Sequence, residues 1–83
     1  MTDEINKYIV GVRQTRKTLQ KGEAVEVYIA LDADPDITDP IRGICNEDGI
    51  RVVEFNTMAE LGKHCGIEIG ASVACRCGQH ISV

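Results

Sequence analysis

The stretch Ala24-Val25-Glu26-Val27-Tyr28-Ile29-Ala30-Leu31 constrains this chain more than any other. After Glu26 the side chains are apolar, apart from the Tyr28 hydroxyl. A strand of this kind has no face to offer water, so it needs cover on both sides of its sheet. The chain has 83 residues, which leaves room for one domain (1–83) and one core. It has no tryptophan, two tyrosines and one phenylalanine. The core is therefore aliphatic, built from Val, Ile, Leu, Ala and Cys. A domain this small buries only about 60% of its unfolded surface, so its stability margin is thin.

Helical and extended patterns alternate on either side of that strand, which predicts an α/β domain. Glu4–Lys7 reads as a short first helix and Tyr8-Ile9-Val10 as a short strand ended by Gly11. Val12 to Lys21 is predicted as a helix closed by Gly22. At about 100° per residue, Val12, Thr15 and Leu19 share its core side. Arg13, Lys17, Gln20 and Lys21 cluster opposite, flanked by Gln14 and Arg16. After the turn Asp32–Asp36, Asp39 suits a helix cap and Pro40 a first helical position, with a start near Thr38 equally open. Ile41, Ile44 and Cys45 then recur at helical spacing until Asp48-Gly49. Ile50 to Phe55 reads as a strand. Thr57 and Glu60 form a capping box for a helix whose core face holds Met58, Leu61 and Cys65, ended by Gly66. Ala71 to Cys77 is the last strand, with Ala71, Val73, Cys75 and Cys77 on one face. Residues 78–83 read as a frayed tail.

Several function classes are set aside by the residues. No apolar run approaches the roughly 20 residues of a membrane helix. Met1-Thr2-Asp3-Glu4 carries no secretory pattern, so a cytoplasmic location is expected. Cys45, Cys65, Cys75 and Cys77 contain no C-x-x-C pair, which argues against zinc and for reduced thiols filling a tight core. Cys75 and Cys77 on one strand face leave a distant reading as a thiol or metal sensor. The alternating Asp32, Asp34 and Asp36 resemble the start of a calcium loop. However, Ile37 falls where that loop needs glycine and Gly43 where it needs glutamate. No Ser-His-Asp set, Cys-His pair or phosphate-binding glycine loop is present, so neither an enzyme nor a cofactor is expected.

The net charge of −4 is unevenly spread. Residues 1–22 carry five basic against two acidic side chains, while residues 23–60 carry two basic against ten acidic ones. A local basic surface acts where the net charge does not. The helix after Gly11 begins with Arg13 and Gln14 and continues to Lys17. Arginine grips a guanine edge with two hydrogen bonds, glutamine donates and accepts, and lysine holds phosphate. The loop Gly66-Ile67-Glu68-Ile69-Gly70 places two isoleucines between a helix stop and a strand start, and at least one is expected to project outward. Exposed apolar groups of this kind pack on splayed bases. The bland alternatives are a solvated polar helix face and a loop tucked into the core.

Three segments taken together resemble a known family. They are Gly11-Val12-Arg13-Gln14-Thr15-Arg16-Lys17, Tyr28-Ile29-Ala30-Leu31-Asp32-Ala33-Asp34-Pro35 and Leu61-Gly62-Lys63-His64-Cys65-Gly66-Ile67-Glu68-Ile69-Gly70-Ala71. Their order and spacing are similar to those of the L7Ae superfamily of ribosomal large-subunit proteins, and most of all to its short bacterial branch of kink-turn RNA binders. The resemblance runs from about Ile5 to Cys77. It implies a three-layer α/β/α sandwich around a small mixed four-stranded sheet. It also implies binding to kink-turns, sharply bent RNA helices with tandem sheared G·A pairs. The positions matching the groove-entering helix are Gly11, Arg13, Gln14 and Lys17, with Lys21 further along on the backbone. The positions matching the loop over the flipped bases are Ile67, Glu68, Ile69, Gly70 and Ala71. Many members carry Asn-Glu where this chain has Arg13-Gln14. The expected partner is structured RNA, ribosomal RNA included, bound by a monomer, with no role for DNA or membrane. The competing expectation is a protein-interaction module on the same fold that has lost its RNA, which the acidic middle of the chain favours.

Overall fold

A computed structural model describes residues 7–78. The elements run β1 (Lys7–Val10), α1 (Val12–Gln20), β2 (Ala24–Ala30), α2 (Pro35–Asp48), β3 (Arg51–Phe55), α3 (Met58–His64) and β4 (Val73–Cys77). One sheet takes the order β1-β4-β2-β3. β2 and β3 are parallel, and β4 runs antiparallel to both β1 and β2. A parallel pair needs a long crossover, and α2 supplies it.

β2 lies inside the sheet and is apolar for the reason its sequence suggested. Val27 and Ile29 point to one face, where Leu19 of α1, Ile41 and Cys45 of α2, and Val73 and Cys75 of β4 close around them. Tyr28 and Ala30 point to the other face, against Leu61 of α3, Ala71 and Ala74, with Val53, Phe55 and Met58 packed at the rim. Two helices on one side and one on the other make the expected three-layer α/β/α sandwich. Among the described residues no helix is long and apolar enough to cross a membrane.

Some boundaries differ from the sequence reading. α2 begins at Pro35, not near Thr38 or Pro40. The cap is Asp34, whose side chain accepts the Asp36 N–H at 3.0 Å, and Pro35 takes the first helical position. The preference for a capped proline start was sound, but it applied to the earlier of two prolines. Pro40 sits inside the helix, where its missing N–H leaves the exposed Asp36 carbonyl to solvent. Lys7 lies in β1 and not in a first helix, while Glu4–Asn6 lie outside the described residues. β4 begins two residues later than expected. Ala71 therefore escapes the strand alternation and packs with Leu61 and Ala74, on the face opposite Val73 and Cys75. The tail from Gln79 onward also lies outside the described residues.

Candidate functional site

The topology collects four chain segments at one edge of the sheet. The C-terminal ends of β1, β2 and β3 and the start of β4 all lie there. From this edge emerge the start of α1, the turn after β2, the start of α3 and the loop from Cys65 to Ser72.

Gly11 makes the turn from β1 into α1. Its φ of 110° and ψ of 150° are open to glycine and costly for other residues. Its N–H donates to the Val73 carbonyl at 2.9 Å, and its own carbonyl accepts from Thr15 N–H at 2.9 Å. No side chain caps α1, and no acidic residue lies in its first turn. The N–H groups of Val12, Arg13 and Gln14 thus precede the first helical bond and face outward with the positive end of the helix dipole. Thr15, Thr18 and Leu19 are buried, so the roll of the helix turns Arg13, Gln14, Arg16 and Lys17 to solvent. Lys21, also exposed, caps the far end of α1, roughly 12 Å along the axis from Arg13.

The apolar loop divides its two isoleucines. Ile67 donates its N–H to the Gly62 carbonyl at 3.0 Å and packs against the α3-side core. Ile69 is 73% exposed, the most exposed of the large hydrophobic side chains described. Glu68 and Gly70 are exposed beside it, and Ala71 is buried. The loop is nonetheless tied down. The Ala71 N–H donates to the Met58 carbonyl at 3.0 Å, and the Ser72 carbonyl accepts from Ala30 N–H at 3.0 Å. Gly62 lets the Ile69 carbonyl approach α3 so closely that a Cβ there would collide with it. The strand leading out of the loop also holds Gly11 through Val73. One hydrogen-bonded frame therefore carries both the basic helix start and the apolar loop.

Sequence reasoning missed two participants at this edge. Leu31, read as the end of a buried strand, is 51% exposed here. Asp32, read only as the first residue of a turn, accepts the Met58 N–H at 2.8 Å. The abrupt end of the apolar run at Asp32 was the available signal for both.

Away from the edge, Tyr8, Tyr28, Phe55 and His64 form a ring cluster over the α3 side of the sheet, with centroids 5.0 to 6.0 Å apart. The four cysteines are free. Burial pushes the thiols of Cys45, Cys65 and Cys75 up, which keeps them protonated and poorly reactive. Among the described residues no three His, Cys, Asp or Glu side chains are grouped to hold a metal. A hollow of about 500 Å³ between α2 and β3 is lined by Arg42, Gly43, Asn46, Ile50 and Val52, with no cluster of catalytic groups.

Residues 2–80 match the Ribosomal protein L7Ae/L30e/S12e/Gadd45 family. The chain belongs to this family. An RNA-binding protein of Caldanaerobacter subterraneus subsp. tengcongensis is 43% identical over 68 residues, 82% of this chain and 83% of that protein. The large ribosomal subunit protein eL8 of Halobacterium salinarum is 35% identical over 65 residues, which span 77% of this chain but 54% of that protein. Among solved structures, the 15.5kD RNA binding protein of Giardia lamblia superposes with a TM-score of 0.79 at 29% identity. That match covers 89% of this chain and 62% of the Giardia chain. The L7Ae family assignment and the α/β architecture agree with what the sequence motifs implied.

Proposed function

We propose that this L7Ae-family protein is a non-enzymatic RNA-binding protein that recognises kink-turns with tandem sheared G·A pairs. The observation that carries this reading is the pairing, at one sheet edge, of an uncapped basic helix start with a loop that exposes Ile69. Arg13 and Gln14 read base edges at the G·A pairs, with the free N–H groups at the start of α1 adding donors. Gly11 lets the backbone turn there without a side chain in the way. Lys17 and Lys21 lie along the phosphate backbone. Ile69 packs on unstacked bases, Ile67 supports it from below, and Glu68, Gly70 and Ala71 shape the loop. The relatives named for RNA binding and for the large ribosomal subunit support structured RNA, ribosomal RNA among it, as the partner in the cytoplasm. The protein acts as a monomer in this reading, since the site draws on one chain.

A gel-shift titration tests it, with a simple kink-turn RNA set against a control whose G·A pairs are replaced by Watson–Crick pairs. Tight binding to the first alone is expected. Equal weak binding to both, or none, contradicts the reading and returns the weight to a protein-interaction role.

A further inference from the structure

Met58, the first residue of α3, is held from several directions. Its N–H donates to Asp32 Oδ1 at 2.8 Å, across 26 positions of sequence. Its carbonyl accepts from the Ala71 N–H at 3.0 Å. Its sulfur accepts from the Ser72 hydroxyl at 3.5 Å. Gly70 lies so near that a Cβ there would stand 3.1 Å from Met58 Cβ. α3 already has its own cap, because Thr57 accepts the Glu60 N–H at 3.0 Å. Asp32 therefore satisfies a second helix-start donor from a separate segment, one that an isolated α3 would leave to water.

Charge alone makes Asp32 a poor neighbour for RNA. It is exposed, it sits at the same sheet edge as Arg13, and its carboxylate repels phosphate. Its geometry gives it a different use. We propose that Asp32 is a positioning residue for RNA recognition. It holds the Met58 N–H and, through Met58, fixes the loop Ile67–Ala71 that presents Ile69. The proposal rests on the RNA reading of that loop.

Two substitutions separate position from charge. Asp32→Asn and Asp32→Ala both remove the negative charge, but only Asn keeps an acceptor oxygen for Met58. Kink-turn RNA is titrated into wild type and both variants, with the Watson–Crick control RNA alongside. Asp32→Ala is expected to bind up to about tenfold more weakly than Asp32→Asn, the scale of one lost hydrogen bond to a backbone donor. The Ala71 amide should exchange faster with solvent in Asp32→Ala than in Asp32→Asn. Ile69→Ala should cost less affinity in the Asp32→Ala background than in wild type, while Arg13→Ala costs the same in both, a coupling that a general loss of stability does not produce. If Asp32→Ala does not fold, Asp32→Glu takes its place. It keeps the charge but shifts the acceptor by one methylene, so it must bind more weakly than wild type, which carries the same charge. Equal affinity of the compared variants, in a protein that does discriminate between the two RNAs, overturns the role of Asp32 alone. Failure of the wild-type protein to discriminate overturns the RNA reading, and this proposal with it.

Discussion

Arg13 and Tyr28 show how differently two residues of one small domain are used. Arg13 is exposed on α1 and has no part in the core. Arg13→Ala should leave folding stability within about 0.5 kcal/mol. It should weaken kink-turn binding by about 1–3 kcal/mol, the worth of a bidentate base contact, as read by parallel melting and gel-shift titrations. Unchanged affinity would remove Arg13 from the interface. Tyr28 is buried, and its hydroxyl donates to Glu26 Oε1 at 2.8 Å. Burial first, and the Glu26 acceptor second, push its pKa from 10.0 up to about 12. The folded state thus favours the neutral phenol. That stabilisation is complete below about pH 10, where the unfolded chain also keeps the proton, and is lost as pH rises toward about 12. Urea unfolding across this window should show a steep alkaline loss of stability in wild type and a flatter one in Tyr28→Phe.

At the scale of elements, the joints between them matter more than the elements themselves. Gly62 is buried in α3 because the loop backbone passes directly against it. In Gly62→Ala the new Cβ would meet the Ile69 carbonyl oxygen, with Gly70 Cα only 3.2 Å away. Both neighbours are backbone, so the loop must move. A loss of about 1–3 kcal/mol in stability is expected. Weaker RNA binding, read by titration at a temperature where the variant is folded, should accompany it. The two-sided burial of β2 and the roll of α1 were legible in sequence, because a strand apolar on both faces needs cover on both sides of its sheet and a helix with one polar side turns the other to the core. The start of α2 was not. Asp34-Pro35 and Asp39-Pro40 both satisfy the local preference for a capped proline start, and only the packed helix decides between them. The role of Asp32 was hidden for a similar reason. Its partner Met58 is distant in sequence, and no local pattern reports a bond formed across two segments.

For the molecule as a whole, charge is spread unevenly over one small body. α2 exposes Asp36, Asp39, Glu47 and Asp48, while α1 exposes Arg13, Arg16, Lys17 and Lys21. The Arg42–Glu54 ion pair at 2.7 Å, partly exposed, adds little beyond local order. The exposed Glu47 and Asp48 at the far end of α2 disfavour RNA there by repulsion. In the proposed complex α1 and the Ile69 loop form one continuous contact. Mapping backbone amide shifts of the isotope-labelled protein as kink-turn RNA is added tests this most directly. Large changes are expected together at Val12–Gln14 and at residues 66–71, with α2 and β3 quiet. Changes confined to α2 and β3, or to only one of the two predicted segments, would contradict it.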